Sequence, residues 1–233
     1  MYYYGIDIYY IILVLPAVLL AFAAQIHVNS TYKKFSKIAS AAGLTGFDAA
    51  RLVLSMNGIY DVQIQRISGD LTDHYDPKTN VIRLSEGVHD NPSAAAIGVA
   101  AHEAGHAVQH AVGYLPIRIR TAIIPVCSIG STLAVPLILL GFLFSYQPLA
   151  NLGVLAFALS TVFQLVTLPV EFNASSRALA ALKGSGRFGD TDLSYAKKTL
   201  TAAALTYVAA LAVSLANLLR LILIVNGGGK RRR

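Results

Sequence analysis

The stretch Val99-Ala100-Ala101-His102-Glu103-Ala104-Gly105-His106-Ala107-Val108-Gln109-His110 decides how the rest of the chain is read. Residues four apart lie one above the other on a helix, so His102 and His106 can offer ring nitrogens to a single metal ion. Glu103 sits about 100° round the helix, beside such an ion rather than on it, where a carboxylate can take a proton from an activated water. With 6 His and 3 Glu in 233 residues, a shuffled chain contains His-Glu-x-x-His with a probability of roughly 0.002. Alanines 100, 101, 104 and 107 and Gly105 suit a helix packed tightly enough to hold two ligands rigidly. Asn91 or Ser93 can cap its start, Pro92 fits its first turn, and Gly113 closes its far end.

Outward from this helix the chain is too apolar for an ordinary soluble domain, with 55% hydrophobic and 13% charged residues. Four stretches, 8–28, 122–144, 149–170 and 202–225, are long enough to cross about 30 Å of hydrocarbon. Pro16, Pro125 and Pro136 fall inside them, tolerable as kinks buried against other helices. Ala21-Phe22-Ala23 has the small-x-small look of a cleavage site. The leading residues 1–7, however, carry no positive charge, while Lys33, Lys34 and Lys37 follow the span, which predicts an uncleaved anchor with its N-terminus outside.

Charge sets the expected sidedness. Of 19 Lys and Arg, 9 lie in residues 30–120 and 5 in residues 171–198, all on one side of a four-span chain, which puts both loops in the cytoplasm. The tail Lys230-Arg231-Arg232-Arg233 falls on the opposite side. Basic loops facing anionic lipid account for a pI near 9.5 without any nucleic-acid partner. The single Cys127 excludes an intramolecular disulfide and a cysteine-built metal site.

In chain order, residues 30–42 read as a basic helix leaving the membrane surface. A second helix follows over 46–56, with a Thr45/Asp48 capping box and Asn57-Gly58 as its stop. Strands are expected at 59–67, 71–75 and 81–85, forming a small antiparallel sheet ahead of the metal helix. Residues 81–85 are the expected edge along which an extended peptide would be held by main-chain hydrogen bonds.

Catalytic zinc normally has three protein ligands and one open position, so a third ligand is needed. His110 lies about 12 Å along the helix from His102, too far to share its ion. His74 and His89 are isolated loop or strand histidines. Glu171, in Leu168-Pro169-Val170-Glu171-Phe172-Asn173-Ala174-Ser175-Ser176-Arg177-Ala178, is the better choice. A helix starting there places Glu171 and Ser175 on one face, and Ser175 can hydrogen-bond a ligand. Arg177, His110 and Tyr207 are candidate donors to a developing oxyanion.

At these residues, and through Ser30-Thr31-Tyr32-Lys33-Lys34, Leu71-Thr72-Asp73-His74-Tyr75-Asp76-Pro77, Val81-Ile82-Arg83-Leu84-Ser85 and Ala203-Ala204-Leu205-Thr206-Tyr207-Val208, the chain resembles the neutral zinc metallopeptidases of bacterial membranes, the YugP-like family. Its motif order is also similar to that of HtpX-type membrane peptidases and CAAX-prenyl proteases. The resemblance implies a multi-pass bacterial membrane protein that uses Zn2+, with His102, His106 and Glu171 as ligands and Glu103 as general base. One departure stands out: such relatives commonly carry Asp four residues past the ligand Glu, where this chain has Ser175.

The expected fold is mainly α, with four transmembrane helices and a small α+β, zincin-like (gluzincin-type) catalytic lobe. Its expected parts are a first span (1–28), the lobe (29–120), spans two and three (121–170), the third-ligand helix and loop (171–200), and a fourth span with the basic tail (201–233). The expected function is an integral-membrane zinc endopeptidase acting on peptide or protein substrates near the bilayer surface. The alternative is a non-catalytic membrane scaffold or chaperone-like protein whose zinc is structural and which has no use for Glu103. A transporter ranks last, because the spans hold almost no ionisable residue apart from Arg220.

Overall fold

The structure, a computed structural model, describes residues 7–228. The basic tail 230–233 and most of the leading segment, both used in the sidedness argument, lie outside the described residues. A π-helical turn, Tyr10–Val14, leads into α1 (Leu15–Phe35). There follow α2 (Gly46–Met56), β1 (Gln63–Ile67), β2 (His74–Asp76), β3 (Val81–Ser85), α3 (Glu86–His89), α4 (Ala94–Ala111), α5 (Leu115–Leu143), α6 (Gln147–Gly184) and α7 (Asp190–Gly228). These fold into two compact units, one of residues 25–118 and 169–205, the other of the remaining described residues.

In the first unit, local chemistry sets the helix limits. Thr45 Oγ1 accepts from Asp48 N (3.2 Å) and Asp48 Oδ2 accepts from Thr45 N (2.9 Å), so α2 starts with the expected capping box. Ser93, not Asn91, caps α4, its Oγ accepting from Ala96 N at 3.2 Å, and Pro92 stays outside the helix. Gly113 at φ +65° closes α4, a left-handed conformation that glycine adopts without a Cβ clash. Lys33 and Lys34 belong to α1, which ends at Phe35, so no separate basic helix follows the first span.

The sheet corrects two expectations. Its order is β1-β3-β2, with β1 parallel to β3 (Gln63↔Val81 to Ile67↔Ser85) and β2 antiparallel to it (Tyr75↔Ile82). The sheet is therefore mixed, not antiparallel, and residues 81–85 form its centre rather than its edge. The tight turn between β2 and β3, where Asn80 takes φ +55°, pairs β2 with one side of β3. Strand β1 takes the other side, which makes β3 central, and the longer connection from β1 to β3 allows it to run parallel. Val81, Ile82, Leu84 and Ser85 are all buried, as a central strand requires.

Helix α4 is the axis of this unit's core. Its alanines 94, 95, 96, 100, 101, 104 and 107 are buried, and those from 96 onward pack with Ile97 and Val108 in one cluster with Val53, Leu54, Ile82, Leu84 and Leu182. Two glycines let neighbouring backbones close in. A Cβ on Gly98 would meet Ala196 Cα at 3.3 Å, and one on Gly105 would meet the Ala174 carbonyl oxygen at 2.5 Å. Gly105 thus brings α6 against the face that carries the motif.

The second unit is helical, built from parts of four helices, Tyr10–Phe35, Leu115–Leu143, Gln147–Gly184 and Asp190–Gly227, each long and apolar enough to cross a membrane. Leu19, Phe22, Leu139, Leu155 and Leu215 are exposed along them, as lipid-facing side chains would be. Small residues set the close contacts: a Cβ on Gly141 would meet Ala150 N at 2.5 Å, and one on Gly153 would meet Ile138 Cγ1 at 2.6 Å. Arg220 donates to Asp7 Oδ2 from Nε (2.8 Å) and Nη2 (2.6 Å).

A third expectation is also corrected. No helix begins at Glu171: α6 runs unbroken from Gln147 to Gly184, through Pro169. Membrane helices tolerate proline where surrounding groups satisfy the backbone it frees, so Pro169 does not end the element.

Candidate metal centre

Helix α4 presents His102 and His106 on one face, their rings edge-to-face with centroids 4.7 Å apart. Across from them α6 presents Glu171, which is 3% exposed. Glu171 Oε2 lies 3.2 Å from His102 Nε2 and 3.6 Å from His106 Nε2. One ligand atom from each of the three residues lies within 4.8 Å of the others. Among the described residues no other His, Cys, Asp or Glu joins this group.

The remaining ring nitrogens are held by acceptors. His102 Nδ1 is 3.0 Å from Ser175 Oγ, and His106 Nδ1 is 3.0 Å from Gln109 Oε1. When each Nδ1 donates its hydrogen there, both Nε2 lone pairs are left facing the Glu171 carboxylate. Two imidazole nitrogens and one carboxylate oxygen form a His2Glu donor set, which suits a borderline-soft divalent cation such as zinc. The donor chemistry present therefore fits the metal.

Ser175 occupies the position where the resembling families commonly have Asp, and its hydroxyl supports His102 directly. Gln109 does the same for His106, and its part was missed in the sequence. It is fully buried and donates from Nε2 to the Val170 carbonyl (2.7 Å) and to Asn173 Oδ1 (3.0 Å). Asn173 Oδ1 also accepts from Arg177 Nε at 2.7 Å. This amide thus ties a candidate ligand on α4 to the backbone next to the candidate ligand on α6. The available signal was a glutamine three residues past His106, set between Val108 and the helix end on the core side.

Glu103 is partly exposed and stands outside the ligand group. Its Oε2 accepts from the backbone N–H of Tyr75 at 3.0 Å, which directs the carboxylate toward β2, an edge strand of the sheet. Asp73 lies just before that strand and holds its connection in place, accepting from Ser85 N (2.7 Å) and Ser85 Oγ (3.0 Å).

Electrostatics follow burial and charge. Burial pushes the His106 imidazole towards its neutral form, but the carboxylates of Glu171 and Glu103 outweigh it and hold its pKa above the ordinary value. Burial, reinforced by nearby Glu103, raises the Asp73 carboxyl, although the Ser85 bonds pull the other way.

The other sequence candidates are placed elsewhere. His74 is exposed, with Nδ1 2.8 Å from the Thr72 carbonyl, and His89 Nδ1 lies 2.7 Å from Asp90 Oδ1. His110 packs its ring against Tyr75 at 5.5 Å. Arg177 lies 5.8 Å over the Tyr114 ring, and Tyr207 belongs to the helical unit.

Comparison with known proteins gives the family. Residues 10–226 match the family described as "Putative neutral zinc metallopeptidase". The chain is 45% identical over 219 residues, 94% of its own length and 97% of the relative's, to the "Putative membrane protease YugP" of Bacillus subtilis (strain 168). No solved structure matches. With nearly the whole chain matched, this protein belongs to that metallopeptidase family.

Proposed function

We propose that this protein is an integral-membrane zinc endopeptidase whose ligands are His102, His106 and Glu171 and whose general base is Glu103. The observation that carries the reading is the division of labour around α4. Three donors converge within 4.8 Å, while the fourth ionisable group of the motif is turned away from them, toward an edge strand. A structural zinc clamp has no need of that fourth group.

Zinc in such a site supplies Lewis acidity, polarising the scissile carbonyl and acidifying water towards neutral pH. The chain's own residues do the rest. Ser175 and Gln109 fix the tautomers and ring planes of the two histidines. Glu103 takes the proton of the attacking water and delivers it to the leaving amine. The Tyr75 N–H restrains Glu103 before substrate arrives. The peptide main chain lies along β2, the short edge strand beside Glu103, rather than along β3. A helix bearing the ligand pair behind a small sheet with such an edge supports a zincin-like reading of the lobe.

The lobe faces the cytoplasm, following the excess of Lys and Arg in residues 30–120 and 171–198. Substrates are membrane-associated peptides or proteins, and no nucleic acid is needed to account for the basic charge. The test is cleavage of a mixed peptide library by the detergent-purified chain, metal-stripped and then reloaded with zinc. Cuts that appear only after reloading support the proposal. Cuts that persist in the stripped protein, or none from the loaded one against either soluble or bilayer-tethered peptides, contradict it.

A further inference from the structure

Two grooves flank α7 where it passes through the first unit, and they share Lys197 and Thr201. One, of about 490 Å3, lies between α6 and α7. Its walls are two facing helical stripes, Phe172, Ser176, Leu179 and Lys183 on α6 and Lys197, Thr201 and Leu205 on α7, at the three- and four-residue spacings that put side chains on one face. The other, of about 560 Å3, lies between α1 and α7 and adds Lys34 and Lys198. Four exposed lysines therefore border the two grooves, Lys197 lining both, and no carboxylate lines either. Asp192, one turn before the second groove's lysines, is buried and already accepts from Ser40 Oγ at 2.8 Å.

The floor of the first groove is apolar and open. Phe172 and Leu205 are 49% and 45% exposed, and small Ala180 and Ala204 leave the space between the helices unfilled. The charge is grouped toward Lys183 and Lys197, and the apolar residues toward Phe172 and Leu205. Both helices continue from those apolar residues into membrane-length stretches. An occupant must therefore carry an anionic end for the lysines and a hydrocarbon body for the cleft. A soluble anion satisfies only the first demand, and a neutral detergent or lipid only the second.

We propose that the groove between α6 and α7 is a binding site for an anionic phospholipid of the host bilayer, its phosphate held by Lys183 and Lys197 and one acyl chain in the cleft, with Lys34 and Lys198 adding positive charge from the neighbouring groove. Ser175 lines the same cleft and meets His102 Nδ1, so an occupied site also steadies the helix that carries Glu171. The site is independent of any catalytic reading of Glu103.

The experiment is native mass spectrometry of the full-length, detergent-purified chain titrated with dioleoyl phosphatidylglycerol and, separately, with dioleoyl phosphatidylcholine. Wild type should retain phosphatidylglycerol selectively, and Glu103→Gln should retain it equally well. Lys183→Gln combined with Lys197→Gln should bind it about thirtyfold more weakly, the effect of losing two charges at a membrane surface. The corresponding double Arg variant should restore binding, and Lys78→Gln, on the β2–β3 turn, should leave it unchanged. Ala204→Phe, which fills the cleft without touching charge, should also weaken it. Equal retention of the two lipids, indifference to the Lys183 and Lys197 changes, an equal loss with Lys78→Gln, or displacement by inorganic phosphate at concentrations matching the lipid would each overturn the proposal.

Discussion

Gln109 shows how much of this centre depends on side chains that bind no metal. Its one amide accepts from His106 and donates to both Val170 and Asn173, so its removal loosens a ligand and the helix contact together. Gln109→Ala should weaken zinc binding by roughly 10–100-fold, the usual effect of losing a group that orients a ligand. Gln109→Glu keeps the acceptor for His106 but sets a buried carboxylate oxygen against the Val170 carbonyl and Asn173 Oδ1, so it should not restore zinc affinity, which a competition assay with a chelating dye will resolve. The raised pKa of His106 gives a second expectation. In metal-free protein the proton binds more tightly to the folded chain than to the unfolded one. That stabilisation is complete below the ordinary imidazole pKa, near 6.5, and is lost as pH rises through the raised value. Zinc needs the neutral ring, so the thermal shift it produces should grow with pH across the same window. A shift that does not change with pH would count against His106 as a ligand. Ser175 could be read from its spacing to Glu171, whereas Gln109 could not, because a lone glutamine in a sequence reads as a solvated side chain until its burial is known.

Among the elements, the contact of α4 with α6 decides whether the ligands meet. Gly105 allows it, and a methyl group there would press on the Ala174 backbone, which cannot swing aside like a side chain. Gly105→Ala should destabilise the chain by about 1–3 kcal/mol and lower zinc affinity along with it. A variant that melts at the wild-type temperature with full zinc affinity would remove Gly105 from the account. The limits of α2 and α4 were legible from Thr45, Asp48, Ser93 and Gly113, because capping is local chemistry. The sheet was not legible in the same way. Strand type could be read from alternation, but whether residues 81–85 lie at the centre or the edge depends on which side β1 joins, a long-range choice. The expected helix start at Glu171 failed because the third span does not end there: α6 carries on through Pro169 to Gly184.

Across the whole molecule, composition alone announced a membrane protein, and the four apolar stretches fall on the four long helices, running past their ends only at residues 8, 9 and 144. What composition could not show is that the helices extend well past the apolar windows, so that α6 and α7 supply residues to both units. In the helical unit Arg220 is the notable charge, and Asp7 answers it from the other end of the chain. Arg220→Ala leaves the buried Asp7 without its cation and should cost on the order of 3 kcal/mol, seen as a lower melting point in detergent. Pairing Arg220→Gln with Asp7→Asn should recover much of the loss; an equal loss in both would show that the ion pair is not what matters. The central claim remains that Glu103 performs chemistry beside a metal held by His102, His106 and Glu171. It is tested most directly by comparing peptide cleavage by wild type and Glu103→Gln at equal bound zinc. The account predicts unchanged zinc content with cleavage lowered at least about 100-fold, the contribution expected of a general base. Undiminished cleavage by the zinc-loaded variant would contradict it.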